Sequence, residues 1–403
     1  MKKTFFGSRL AAMATTALVG LSCAVPAHAE ITAYAGNDLI PSIQVYLRVD
    51  AGLQLVTNVD NQLYGNKSGK TTVFGGGGNS WGTSMFGITG ALPLTTDTKA
   101  IYKVESGFNT DDGSFNGGKN QIFNRRAYVG LSDDRLGSLV VGKDLFINND
   151  IWAWDPMVQE TTSTATLVEG RSWPQVNDMV EYRSPSTYAL KLGLQASFDP
   201  DSNTNSSITS TSTHLSDAAG ASLQYTLGNL NVLGIYDIMR GQNGYTNLYN
   251  ASKEAIVAAT YNFNPVEVFV GYENLSAPQA GADNPNAEAV NSSSVIGGNN
   301  ANAAAAVYAT KANMTWLGAA WTVTPKITIR GAWYYTDLND SVGHANLVTV
   351  GTEYYFRPNM FWYATVGEVM NSGETQFGVT TQNAPPGAGK DQFTGYSGLS
   401  IAF

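Results

Sequence analysis

The sequence predicts an all-β fold, a 16-stranded antiparallel transmembrane β-barrel. Three observations support this prediction. Apolar and polar residues alternate in repeated runs, the links between those runs are alternately short and long, and the composition suits strands. The 403 residues include 42 Gly and 20 Tyr, and only 14% are charged. Such a composition fits many strands and turns better than it fits helices.

The first 29 residues have the features of a secretory signal peptide. Lys2, Lys3 and Arg9 form a basic start, an apolar run follows, and residues 27–29 form a small-residue cleavage site. We therefore expect residues 1–29 to be removed, and we expect residues 30–403 to form one barrel domain.

The only cysteine, Cys23, lies within this signal. A lipoprotein would keep Cys23 as a lipidated N-terminus, but Gly20 stands where such sites prefer a bulky aliphatic residue. We therefore expect a mature chain without a thiol, a disulfide or cysteine chemistry.

The charge balance excludes some partners. Removing the three basic residues of the signal leaves 20 Lys and Arg against 32 Asp and Glu, which is a formal charge of −12. An acidic chain is not expected to bind nucleic acid. No run of about 18 apolar residues follows the signal, so no spanning helix is predicted.

Alternation is clearest between residues 43 and 55, where every odd position is apolar. Successive side chains of a strand point to opposite faces, so this run has one apolar face and one largely polar face. The pattern returns at residues 190–195, 266–273 and 327–333. A soluble sandwich also has one apolar face per sheet, so alternation alone does not distinguish the two folds.

The connections do distinguish them. The predicted strands are at about 43–56, 84–93, 99–108, 123–131, 137–143, 178–183, 190–198, 219–227, 230–240, 255–262, 266–274, 313–322, 327–336, 345–356, 361–370 and 395–403. Short turns and long polar loops alternate between them, with 57–83 and 337–344 among the long loops. An even number of antiparallel strands with short turns at one end is the plan of an outer-membrane barrel. Closure is required because an open edge in lipid would leave backbone groups unpaired.

Aromatic residues gather near the predicted strand ends, at Trp316 and Trp321, 333–335, 354–356 and 361–363. Interfacial girdles at the two membrane surfaces explain this placement better than a buried core does.

The connection at residues 144–178 has no clean period of 2 or 3.6. It contains several acidic residues and two tryptophans, Trp152 and Trp154. A connection of this length is usually functional or disordered, and large apolar rings argue against disorder.

Other motifs do not indicate catalysis or metal binding. Residues 65–71 are one residue short of a phosphate-binding loop. They also lie in a predicted polar loop, whereas a phosphate-binding loop lies between a strand and a helix. Residues 199–203 resemble the start of a calcium loop but lack its glycine and its closing acid. His214 and His344 are the only histidines of the mature chain, so no histidine-rich metal site is expected. We predict no enzymatic activity, no metal site and no cofactor.

The chain resembles the trimeric general porins of Gram-negative outer membranes over essentially its whole mature length. The matching segments are 45–52 (VYLRVDAG), 99–108 (KAIYKVESGF), 123–131 (FNRRAYVGL), 137–143 (GSLVVGK) and 180–185 (VEYRSP). The terminal Phe403 is similar to the assembly signal of that family.

The resemblance implies that the third loop, residues 144–178, folds inward and narrows the channel, with its acids facing bases on the wall. The implied wall bases are Arg48, Lys103, Arg125, Lys143 and Arg171. The implied loop acids are Asp150, Asp155 and Glu160, and Trp152 and Trp154 are expected to anchor the loop. The basic ring is rearranged relative to the family, since Met85 and Thr89 stand where inward arginines are common.

The function expected from this resemblance is passive diffusion of ions and small hydrophilic solutes across the bacterial outer membrane. One alternative is a solute-specific channel for sugars or organic anions, and another is a structural or adhesive barrel without an open pore. The expected partners are membrane lipid, two further copies in a homotrimer, and the outer-membrane barrel assembly machinery. The acidic loop and the net charge favour a preference for cations.

Overall fold

A computed structural model describes residues 30–34, 41–60, 70–116, 121–158, 160–198, 218–241, 244–280, 309–379 and 385–403. The predicted signal peptide, Cys23, His214 and the calcium-like motif at 199–203 lie outside these residues. The strands are Glu30–Tyr34 (β1), Ile43–Asp60 (β2), Lys70–Gly76 (β3), Ser84–Pro93 (β4), Thr98–Phe108 (β5), Arg126–Asp133 (β6), Gly137–Leu145 (β7), Gln175–Arg183 (β8), Leu190–Ser197 (β9), Ala218–Leu227 (β10), Leu230–Met239 (β11), Lys253–Asn262 (β12), Val266–Ser276 (β13), Lys311–Thr324 (β14), Ile327–Leu338 (β15), Gly343–Arg357 (β16), Met360–Asn371 (β17) and Gln392–Ala402 (β18).

The strands form a closed antiparallel ring. From β4 onward each strand pairs with the next, and β18 returns to pair with β2, from Thr394 opposite Val56 to Ala402 opposite Arg48. Without the short β1 and β3, 16 strands make up this ring, and all of them were predicted from the sequence. The predicted 16-stranded barrel is confirmed.

The two additional strands complete the edges of β2, the longest strand. β1 pairs with the start of β2 beyond the end of β18, with Glu30 opposite Tyr46. β3 pairs with the second half of β2, whereas β4 pairs with residues 44–48 of β2. β3 and β4 therefore share one position in the wall. The long polar loop predicted at 57–83 was wrong for residues 57–60 and 70–76, which belong to the paired strands β2 and β3.

Burial along the strands is the reverse of that in a soluble protein. In β16, Leu347, Thr349 and Glu353 are buried, whereas Val348 and Val350 are about half exposed. The same alternation of exposed apolar and buried, often polar, residues runs through β11–β18. We call the exposed apolar side the outer face of the wall and the opposite side its inner face. An apolar outer face is what a lipid environment requires.

The aromatic residues near the strand ends are divided between the two faces. Trp321, Trp333 and Phe356 are exposed on the outer face, as interfacial girdles require. Trp316 and Phe361, which were assigned to the same girdles, are buried on the inner face. The prediction was wrong for these residues because clustering near strand ends does not specify the face, which depends on whether a position is odd or even within its strand.

Several boundaries also differ from the prediction. β6 begins at Arg126 rather than at residue 123, and β8 begins at Gln175 rather than at residue 178. The predicted long loop at 337–344 consists of only four residues between β15 and β16. No helix among the described residues is long and apolar enough to span a membrane.

Candidate functional site

The connection between β7 and β8, residues 146–174, contains two short 3-10 segments, Ile147–Trp154 and Thr164–Val168. The backbone N–H of Ser163 donates to Oγ1 of Thr166 at 3.0 Å, which fixes the start of the second segment. Glu169 ends that segment in the left-handed conformation with φ of 49°, and Gly170 then donates to the carbonyl of Ala165. We call residues 146–174 the docked segment, because contacts with the inner face of the wall extend along its length.

The first of these contacts is a buried charged cluster at β11–β13. The Arg171 guanidinium donates to Asp237 Oδ1 at 2.5 Å and to Glu254 Oε2 at 3.2 Å. Asn148 also donates to Glu254, at 2.7 Å, and Glu273 lies diagonally opposite Glu254 on β13. All of these side chains are buried. One arginine therefore pairs with two of the three carboxyl groups in this cluster.

The second contact lies at β14 and β15. The Trp316 indole N–H donates to the carbonyl of Trp154 at 3.1 Å, and Tyr334 donates to Asp155 Oδ1 at 2.6 Å. Arg330 donates to the carbonyl of Pro156 at 3.1 Å.

Close packing of the docked segment also requires a glycine on β14. A Cβ atom at Gly318 would lie 2.5 Å from Cγ of Pro156. This position must be glycine for the segment to approach the wall so closely.

The third contact lies at β16–β18. Thr365 and Tyr396 donate to Glu160 Oε2 at 2.5 and 2.8 Å, and the hydroxyls of Thr162 and Thr349 are 2.9 Å apart. Burial, followed by the nearby Glu353 carboxylate, raises the pKa of Glu160 to about 8. Burial and Glu353 therefore favour the neutral form of Glu160, against the opposing effect of the donors Thr365 and Tyr396.

The three predicted loop acids occupy different environments. Asp155 and Glu160 are buried against the wall, and burial raises the pKa of Asp155 against the opposing effect of its donors. Asp150 keeps 21% of its side chain exposed and forms an ion pair with Arg183 on β8. Only Asp150 has both an exposed carboxylate and a basic partner on the wall.

The two tryptophans also differ. Trp154 is 8% exposed and belongs to an apolar cluster with Met157 and Leu167 of the segment and Trp316 of the wall. Trp152 is only partly buried and lines a cavity.

Of the predicted wall bases, Lys103 and Arg125 lie together around Glu105. The Arg125 Nε–H donates to Glu105 Oε1 at 2.7 Å, and Lys103 Nζ lies 4.0 Å from Glu105 Oε2 and above the Tyr46 ring. The Arg125 side chain keeps 17% of its area exposed and the Lys103 side chain keeps 13%. Both side chains are therefore partly accessible.

The other predicted bases are buried. Arg48 donates to the carbonyl of Thr83 at 2.8 Å and lies over the Trp81 ring, and Lys143 donates to Asn177 at 2.6 Å. Arg171 belongs to the docked segment rather than to a strand, and its side chain is 0% exposed. Its position just before β8, the sixth predicted strand, does not show that the side chain turns towards Asp237 and Glu254.

Sequence reasoning missed two basic residues with more exposed surface. Arg126 pairs with Asp144 at 3.1 Å with 26% of its side chain exposed, and Arg183 is 31% exposed beside Asp150 and Glu181. A signal for Arg183 was available, because Glu181 and Arg183 are two residues apart in a strand and so share one face.

The exposed bases and the docked segment occupy different parts of the ring. Lys103, Arg125, Arg126 and Arg183 lie on or beside β5, β6 and β8. The contacts of the segment, apart from the one between Asp150 and Arg183, lie mainly on β9–β18. Two cavities of about 230 and 320 Å³ are both lined by residues of β4–β8. Among the described residues, no group of three or more His, Cys, Asp or Glu could hold a metal ion.

Residues 14–374 match the sequence model of the Gram-negative porins. The chain belongs to this family. The porin is therefore an outer-membrane channel and not an enzyme, as the sequence predicted.

Individual relatives agree with this assignment. An outer membrane porin protein of Bordetella pertussis is 23% identical over 378 residues, covering 91% of this chain and 94% of the relative. Among solved structures, the anion-selective porin from Comamonas acidovorans has a TM-score of 0.68 at 18% identity, covering 90% of this chain and all of that one. OmpF of Salmonella typhi has a TM-score of 0.61 at 16% identity, covering 93% and 100%. These structures are similar to the porin in fold.

The charged cluster at Arg171 gives a first prediction. Arg171→Gln removes the cation from a cluster with three buried carboxyl groups. Breaking a buried ion pair by removing one partner costs about 3–5 kcal/mol. We expect the free energy of unfolding in detergent to fall by that amount. In the triple variant Arg171→Gln, Asp237→Asn, Glu254→Gln most of the loss should be recovered. Equal loss in the single and triple variants would show that charge balance is not what holds the segment there.

Glu160 gives a second prediction, on pH. A carboxyl group whose folded-state pKa is raised contributes most below its unfolded pKa of about 4.3 and loses that contribution as pH rises to about 8. We expect hydrogen-exchange protection factors of residues 160–168 to fall over this range. Glu160→Gln keeps an acceptor for Thr365 and Tyr396 but cannot ionise, so its protection should vary less with pH. Identical pH profiles in the two proteins would contradict this role for Glu160.

Proposed function

We propose that the porin is a passive diffusion channel for ions and small hydrophilic solutes, narrowed where the docked segment faces the basic side chains of β5, β6 and β8. This proposal rests on one observation, which is that the contacts of the segment and the exposed bases lie on different parts of the ring. The segment makes most of its contacts with one part of the inner face, and the exposed bases lie on the other part. The remaining space between them is the proposed passage.

The charge arrangement supports selection by a field rather than by chemical reaction. Asp150 on the segment and Arg183 on the wall are opposite charges that are both partly exposed. The two side chains are in direct contact, so they lie at one edge of the proposed passage, where low-dielectric walls strengthen the field of their charges. Solutes are then selected by size and charge as they diffuse down their gradients.

A second candidate, a channel that prefers anions, is favoured by the burial of the loop acids. Asp155 and Glu160 are buried, whereas four basic side chains keep between 13% and 31% of their area exposed. The balance of exposed charge is therefore basic, in contrast to the cation preference that the acidic sequence of the loop suggested. The name of the Comamonas acidovorans porin, which describes that protein as anion-selective, is consistent with this candidate.

We also propose that the porin is a homotrimer, processed at residue 29 and folded by the outer-membrane assembly machinery. A trimer form of OmpT from Vibrio cholerae has the same fold, with a TM-score of 0.56. Phe403 pairs through its backbone with Leu47 and is 45% exposed, so its ring is accessible at the strand end.

Single-channel recording in planar bilayers tests these proposals. We expect steps in groups of three with ohmic conductance, and Arg125→Ala should shift the reversal potential in a salt gradient towards cations. Lys326→Ala, which removes one exposed charge from the turn before β15, is the control and should leave the reversal potential unchanged.

Each proposal has its own contrary result. An Arg125→Ala reversal potential equal to that of the unmodified porin would show that Arg125 does not lie at the constriction. The absence of any conductance would favour a structural barrel without a pore.

A further inference from the structure

The cavity of about 320 Å³ lies between β5–β8 and the first part of the docked segment. Five of its lining residues are charged: Arg126, Asp144, Asp150, Glu181 and Arg183. None of the five was among the wall bases predicted from the sequence, and only Asp150 was among the predicted acids. Arg126 joins this cavity to the bases around Glu105, since its Nε also lies 3.4 Å from Glu105 Oε1.

The charges around the cavity alternate in sign. Arg126 pairs with Asp144 at 3.1 Å, and Arg183 pairs with Glu181 at 2.9 Å and with Asp150. The side chains that keep the most exposed area are Arg126, Arg183 and Asp150, with 26%, 31% and 21%. Since Asp144 and Glu181 are nearly covered, a molecule in the cavity meets both guanidinium groups and one carboxylate.

This lining discriminates between solutes by the sign and number of their charges. A solute with one charge is attracted by one side of the cavity and repelled by the other. A zwitterion can place its carboxylate against Arg126 and its ammonium group towards Asp150. Each charge-assisted hydrogen bond strengthens binding by about tenfold or more.

The cavity also has an apolar part. Trp152 and Tyr128, both partly buried, line it together with Ile101 and Val140. Aromatic faces bind both apolar groups and cations. A volume near 300 Å³ is at the lower end of the range for small-molecule sites, which suits a single amino acid or a dipeptide.

We propose that this cavity is a binding subsite for zwitterionic α-amino acids and short peptides with an apolar side chain. The solute carboxylate contacts Arg126, its ammonium group contacts Asp150, and its side chain packs on Trp152. This rests on the proposed function, because a solute reaches the cavity only through an open channel.

Three probes with one side chain test the proposal in planar bilayers at about pH 6, where an α-amino group is protonated and an α-carboxyl group is ionised. L-leucine is a zwitterion, N-acetyl-L-leucine is an anion and L-leucinamide is a cation. We expect leucine to block the ion current with an affinity about tenfold higher than that of either analogue, because each analogue lacks one charge-assisted contact.

Two variants separate the charged contacts. Arg126→Gln should weaken leucine block about tenfold and leave leucinamide block unchanged, whereas Asp150→Asn should weaken leucine block and leave N-acetyl-leucine block unchanged. Trp152→Ala should weaken the block of the ion current by all three probes. The matched control Lys311→Gln removes an exposed positive charge at the start of β14, away from the cavity, and should change none of them.

Conductance in salt alone distinguishes a failure of the proposed function from a failure of this inference. If the channel conducts but leucine binds no more tightly than its two analogues, the subsite is not zwitterion-specific and the proposal is overturned. The same holds if Arg126→Gln weakens leucine and leucinamide equally. If N-acetyl-leucine binds most tightly, the cavity is an anion site instead.

Discussion

The closure of the sheet between β18 and β2 is the constraint on which the rest of the structure depends. In lipid, an unpaired strand edge would expose N–H and C=O groups that no water can satisfy. β2 meets this requirement over most of its length by pairing with four strands, with β1 and β18 along one edge and with β3 and β4 along the other. β1 and β3 extend the pairing at the two edges of β2. This explains why these two short strands are present although they are not among the 16 strands of the ring.

Closure also determines where polar groups can lie. Because the outer face must be apolar where it meets lipid, many ionisable side chains of the strands, among them Asp237, Glu254 and Arg330, are buried on the inner face. Buried charges are tolerated only when they are paired and hydrogen-bonded. The docked segment supplies Arg171 and Asn148 to the acids of β11–β13, and it receives donors from Arg330, Tyr334 and Thr365. The segment and the inner face therefore stabilise each other, and the partly exposed bases Lys103, Arg125, Arg126 and Arg183 lie on another part of the inner face.

The strands could be predicted from the sequence because each one has a local signal, the alternation of apolar and polar residues. The extra pairing of β3 could not, because residues 70–76 pair with the end of β2 without an alternating apolar pattern of their own. The faces of Trp316 and Phe361 were missed because aromatic clustering was used in place of the period-2 pattern.

The site was less predictable, because its contacts join residues far apart in the chain. Asp155 and Tyr334 are 179 residues apart, and Glu160 and Tyr396 are 236 apart. Spacing in the sequence gives no information on such pairs, so it could not show which loop acids are buried. The pair between Asp150 and Arg183 differs from these pairs. The spacing of Arg183 from Glu181, two residues away on the same strand, shows from the sequence that the two side chains share one face.

A cross-link between Thr162 on the docked segment and Thr349 on β16 tests the central claim most directly, because their hydroxyl oxygens are 2.9 Å apart. The mature chain is expected to contain no other thiol, so the variant Thr162→Cys, Thr349→Cys can form one defined disulfide. If the segment is docked on the wall in the open channel, this disulfide forms on oxidation and the conductance is the same before and after its reduction. Failure to cross-link, or a conductance that changes when the cross-link is reduced, would contradict this account.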